Sequence, residues 1–139
     1  KGHGVRDRGT GDSDAPAHIG AMRKYRSLVA WQRARELSLL ALRAMEDARH
    51  RRAIVLDQLA RAALSVELNI VEGYALGTRA QFRRHLRIAL GSAAEAECAI
   101  DVARTLGWLP DDVTERLGRL VDEVLACLHG LLRRLGPRG

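Results

Sequence analysis

Apolar residues recur along this chain at helical spacing, in four long stretches separated by short polar or glycine-containing breaks. The first stretch predicts a helix over 24–48. Leu28, Trp31, Ala34, Leu39, Leu42 and Met45 share one side of it, and Val29, Leu37 and Leu40 fall outside that stripe. The second predicts a helix over 53–73 whose main face is Val55, Leu59, Ala62, Val66 and Ile70. Leu64, Leu68 and Val71 make a second face almost opposite the first. A helix that is apolar on two sides is buried on two sides. One side belongs in the subunit's own core, and the other is expected to meet a neighbouring subunit. Gly73 and Gly77 then read as a corner.

The third helix is predicted over 78–106 and opens on a capping box, with Thr78 as the cap and Gln81 three residues on. Its apolar face is Phe82, Leu86, Ala89, Ala93, Ala96, Ile100 and Ala103. Gly91, Ser92 and the alanines around them form a small-residue patch that admits another helix closely. Leu106–Gly107 reads as the stop. The fourth helix, over 111–135, is opened by Pro110, Asp111 and Asp112, with Asp112 and Glu115 as a second box. Val113, Leu117, Leu120, Val121, Val124, Leu128, Leu131 and Leu135 keep one clean stripe until Gly136 and Pro137 end it. Four helices joined by short connections predict an all-α fold, an antiparallel up-down-up-down four-helix bundle. No strand pattern and no internal repeat stand out.

Composition supports this reading. Alanine and leucine supply most of the apolar content, and residues 17–109 contain no proline. Residues 1–22 are different: rich in Gly, Asp, Ser, Thr and Pro, they bury too little apolar surface to offset ordering entropy, and a disordered tail is expected there. Met22 opens the patterned region, so it is expected to be the natural start, with the residues before it a remnant of upstream sequence. The bundle then occupies 23–139. The two cysteines, Cys98 and Cys127, have no partner at metal-ligand spacing and read as small buried hydrophobes of a reducing, cytoplasmic setting. No apolar run reaches the length of a membrane span.

The charge adds a functional hint. The chain carries a net charge of +6, and 21 of its 23 basic residues are arginine. The first 22 residues hold three bases and three acids, so the excess lies wholly in the patterned region. Guanidinium forks suit phosphate, although a GC-rich genome also produces arginine in place of lysine. The positive balance favours polyanionic partners in either case. Arg79, Arg83 and Arg87 lie one turn apart on the third helix with Arg84 beside them, and Arg49, Arg51 and Arg52 lie in the first connection. Cations at a helix start oppose its dipole, so the Arg79–Arg87 strip is a candidate set of phosphate contacts, with a solvated or ion-paired face as the alternative. Apart from Phe82, which belongs to the apolar face, no aromatic residue interleaves the arginines, which argues against base stacking and for recognition of shape and phosphate.

Asn69 shares the face of Val66 and Ile70, where an amide must be hydrogen-bonded; its expected role is to fix register or association state. Glu72 is expected to bond backbone N–H groups or an arginine near the corner. Glu72, His85, Glu95 and Glu97 lack the Glu-x-x-His spacing of di-metal bundles, so no metal and no cofactor are expected. No nucleophile–base constellation and no phosphate-cradling glycine loop is present, which argues against an enzyme.

Several of these residues also carry a resemblance. Ser65, Val66, Asn69, Ile70, Glu72, Gly73 and Tyr74 are followed by Phe82, Arg84, Leu86, Ile88, Ala89, Gly91, Ser92, Glu95 and Glu97, then by Leu106, Gly107, Trp108 and Leu109. With the opening Tyr25–Gln32, this order resembles the four-helix-bundle proteins of 23S ribosomal RNA intervening sequences, over about residues 24–135. The chain departs from that pattern at Glu67 and Leu68, where the family has Pro-Ser. It departs again at Ala75 and Leu76, where it has Gly-Arg, and at His85, where it has an aromatic. The resemblance implies a ring-like homo-oligomer, a pentamer. It also implies kinship with accessory proteins that serve the reverse transcriptase of diversity-generating retroelements. The expected function is a non-enzymatic basic bundle that binds structured RNA or an RNA–protein complex as an accessory factor. The alternative is a protein-interaction scaffold without nucleic-acid contact.

Overall fold

The computed structural model describes residues 24–46 and 53–136. Residues 1–23, 47–52 and 137–139 fall outside the described set, and with them the expectations for the N-terminal tail, Met22, Arg49, Arg51 and Arg52. A 3-10 turn, Lys24–Ser27, leads into four α-helices: α1 (Val29–Glu46), α2 (Ala53–Ala75), α3 (Arg79–Thr105) and α4 (Asp111–Leu135). Each helix packs against its neighbours in the order α1–α2–α3–α4 and back to α1, closing an up-down-up-down bundle. The α2–α3 pair shares the most extensive of these interfaces.

The core is leucine and valine set among alanine. Leu37, Leu56, Leu59, Val66, Ile70, Leu86, Leu117, Val121, Val124 and Leu128 are buried, and Ala34, Ala41, Ala63, Ala89, Ala93, Ala96 and Ala103 fill the remaining seams. Alanine leaves no long side chain to hold two helices apart, so their backbones approach closely.

The structure corrects the phase of the first helix. The helical pattern was expected to start at 24, but Leu28 N–H bonds to Tyr25 O at 2.9 Å in the tighter turn and the α-helix begins at Val29. Its buried stripe is Ala30, Ala34, Leu37, Ser38, Ala41 and Ala44. Leu37 is thus core, and Leu39 is exposed. Small alanines set the face, while Leu28 and Trp31 pack at its edge. Trp31 stacks edge-on against Tyr25, with ring centroids 5.2 Å apart.

The second correction concerns the corner. Gly73 does not break the helix; α2 continues to Ala75, and the turn is made by Gly77 at φ +73°. Gly73 has a different reason to lack a side chain. A Cβ there would stand 2.6 Å from His85 Cβ of α3. Only glycine lets the two helices meet at that distance.

The remaining boundaries follow local chemistry. Thr78 caps α3, its Oγ1 accepting from Gln81 N–H at 3.2 Å. After α3, Gly107 at φ +64° lets Gly107 N–H reach Arg104 O at 3.1 Å and Trp108 N–H reach Ala103 O at 3.0 Å, the paired bonds of a Schellman stop. The expected Asp112–Glu115 box does not form. Pro110 occupies the cap position without a side-chain bond, and Thr114 Oγ1 instead donates to Asp111 O at 2.9 Å. Cys98, expected inside, is exposed, and Cys127 is half-buried.

Candidate functional site

The antiparallel fold brings the start of α3 and the finish of α4 to one end of the bundle. The 3-10 turn and the finish of α2 lie at that same end. In its outermost turns the described charged side chains are Lys24, Arg26, Arg33, Arg79, Arg83, Arg84, Arg133 and Arg134, against Glu72; Arg87 lies deeper along α3, as Arg35, Glu36 and Glu67 do along their own helices. At the other end, Glu46, Asp57, Glu97, Asp101, Asp111, Asp112 and Glu115 stand against Arg43, Arg61, Arg104, Arg116 and Arg119 among the described residues. Among the described residues, charge is therefore unevenly distributed between the two ends.

The expected strip of Arg79, Arg83, Arg84 and Arg87 divides into two pairs. Arg79 donates to Leu135 O. Arg83 donates to Gly136 O and, at 3.4 Å, to Leu132 O. These are carbonyls that the end of α4 leaves without partners in its own ladder. Two cations thus close the negative terminus of α4. Arg84 and Arg87 point outward, exposed and without a hydrogen-bond or ion-pair partner among the described residues. Within this strip, only the second pair presents guanidinium groups that are not already engaged.

A polar seam runs between α2 and α3. Ser65 Oγ and Ser92 Oγ lie 2.9 Å apart. Asn69 donates through its amide nitrogen to Ser65 O at 2.9 Å, with Ser65 Oγ at 3.2 Å. That orients Asn69 Oδ1 toward His85 Nδ1 at 3.0 Å, so the imidazole donates from Nδ1. His85 is only 6% exposed. Glu72, expected to bond backbone N–H groups or an arginine, is instead an exposed carboxylate 3.8 Å from His85 Nδ1.

Outside the seam the α2–α3 pair shows an apolar face. Leu68 is 55% exposed and Ile88 41% exposed. In sequence they stand between the Ser65–Ser92 and Asn69–His85 cross-links. Gly91 lies beside them, and a Cβ there would meet nothing within 4 Å. Leu64 and Val71, expected with Leu68 on one outward face, are half-buried at its flank. Towards the acidic end the same outer surface continues as a shallow apolar groove that includes Ile54, Cys98 and Val102.

One buried charge escaped the sequence. Glu67 is only 5% exposed, at the α1–α2 seam. Its Oε1 accepts from Arg35 Nη1 at 3.0 Å and its Oε2 from Ser38 Oγ at 3.1 Å. The signal was available: Arg35 and Ser38 are spaced i, i+3, so they share a helix face. Among the described residues no group of three or more His, Cys, Asp or Glu side chains is placed to hold a metal. No described helix is long and apolar enough to cross a membrane.

Fold and site together define a closed antiparallel bundle whose polar side chains join helices, with a cationic end and an apolar flank. The chain belongs to the 23S rRNA-intervening sequence protein family, which it matches over residues 26–130. That family is not a catalytic one, and the chain is not an enzyme. Among curated proteins none matches the chain.

Proposed function

We propose that this protein is an oligomeric, non-catalytic accessory bundle that binds structured RNA, or an RNA–protein complex, through phosphate contacts at its cationic end. The observation that carries the reading is the pair Arg84 and Arg87, solvent-facing and without a partner among the described residues, toward the end of the bundle where described cations outnumber carboxylates. Arg84 and Arg87 lie in the second and third turns of α3, and no hydrogen bond or ion pair among the described residues gives a reason for them. Family membership supports an RNA-related role. Arg79 and Arg83 belong to the contact set through their positive field rather than through free hydrogen bonds.

Copies of the chain associate, in this reading, through the outer face of α2 and α3. Leu68 and Ile88 supply apolar area, and Gly91 supplies a place where a neighbouring backbone comes close. The resemblance drawn from the sequence favours a ring of five. Such a ring would repeat the cationic end around its rim and multiply weak phosphate contacts. A reverse transcriptase–RNA complex is one assembly such a rim would suit.

The test is a titration of a labelled RNA hairpin at two salt concentrations, alongside a light-scattering mass. Binding should weaken steeply with salt and be lost on Arg84→Glu with Arg87→Glu. No shift at low salt removes the RNA reading. The exposed apolar face favours the second reading, a scaffold that binds proteins alone, in that event. A mass equal to one chain removes the oligomer.

A further inference from the structure

Beside the finish of α4 lies a groove apart from the Arg79–Arg87 strip and from the outer face of α2 and α3, though its rim arginines belong to the same cationic end. It has a volume of about 790 Å³ and runs between the start of α1 and residues 126–134 of α4. Leu28, Val29, Cys127 and Leu131 line it, with Arg133 and Arg134 at one rim. Val29 is an exposed apolar side chain at 52% relative exposure. Gly130 lies inside the last two turns of α4, and a Cβ there would meet nothing within 4 Å. Glycine inside a helix costs about 0.5–1 kcal/mol relative to alanine. Packing within the subunit does not require it, so the space it leaves is kept for something else.

We propose that this groove docks an amphipathic helix with an acidic flank, contributed by a partner protein. The apolar floor takes the greasy face of such a helix, as in other helix-in-groove complexes. The rim fixes the sign of its polar flank, because neither Arg133 nor Arg134 has a hydrogen-bond or ion-pair partner among the described residues. An RNA strand fits the same place poorly. Its phosphates would leave the floor unfilled, and no aromatic side chain among the described residues lines the groove to stack a base. Nine residues of α4 span about 13 Å at 1.5 Å per residue, so an occupant of two to three turns fills the groove.

The experiment uses the full chain and two fluorescein-labelled designed helices of about 18 residues, long enough to hold helical structure. Both carry leucine at i, i+3, i+4 and i+7; one has glutamate on its flanks and its twin has lysine. Fluorescence anisotropy should show saturable binding of the glutamate helix, about tenfold or more tighter than its twin. Gly130→Leu fills the groove, and its side chain enters open space, so the protein keeps its melting temperature while binding falls about tenfold. Arg133→Glu with Arg134→Glu should reverse the preference between the twins. The proposal is overturned by equal binding of the twins, by no saturable binding, or by binding that Gly130→Leu leaves unchanged. It is also overturned if Gly130→Leu abolishes binding of an RNA hairpin, which places RNA in the groove. A lower light-scattering mass for that variant places a second copy there and overturns it equally.

Discussion

The starts of α3 and α4 lie at opposite ends of the bundle and carry opposite charge. α4 begins with Asp111 and Asp112, carboxylates that complement the positive start of a helix. α3 has no acid in its first turn and four arginines within its first nine residues. At α4 the charge serves the fold. At α3 it opposes the local dipole, and only part of the conflict is resolved, because Arg79 and Arg83 reach across to the open carbonyls of α4. The difference isolates Arg84 and Arg87 as cations whose presence stability does not explain.

The largest effect should come from breaking the frame that aligns the α3 start with its neighbour. Gly73→Ala puts a Cβ against His85 and should cost about 3 kcal/mol by chemical denaturation. A near-neutral result would mean α2 and α3 separate easily there. Next, Arg84→Glu with Arg87→Glu should weaken binding of an RNA hairpin about thirtyfold and reduce the slope of log K against log salt by about 2, as two lost phosphate contacts would. The same variant should melt close to the parent, since both side chains are exposed and have no partner among the described residues. Arg79→Ala with Arg83→Ala should do the reverse in proportion: about 2 kcal/mol of stability lost as the α4 carbonyls lose their partners, with a smaller change in RNA affinity. If the two double variants behave alike, the division of the strip into structural and free pairs fails. The smallest change is expected at the other end. Asp111→Ala with Asp112→Ala should lower stability by about 0.5–1 kcal/mol, an effect that shrinks in high salt.

The bundle itself was legible because long stretches such as Leu117–Val121–Val124–Leu128 repeat at helical spacing, and Thr78 and Gly107 mark their own boundaries. The phase of α1 was not legible. Its buried stripe is built on alanines, which carry little hydrophobic signal, while Leu39 faces outward. Gly73 misled because a glycine required by a neighbouring helix looks, in one dimension, like a glycine required by a turn. Arg79 and Arg83 were visible as cations, but their partners are carbonyls at positions 132–136, a proximity that only the packing of α3 on α4 creates. Glu67 was only half legible: Arg35 and Ser38 share a helix face in the sequence, but that this face meets Glu67 depends on the packing of α1 on α2.

The two tryptophans give the bundle a built-in pair of reporters. Trp31 packs on Tyr25 beside the cationic end, and Trp108 follows the Schellman stop at the acidic end. Replacing either with phenylalanine leaves a single indole whose emission follows one end alone. Matching emission curves on heating would show the bundle melting as a single cooperative unit; an earlier change at Trp31 would show that crowded positive charge loosens its own end first.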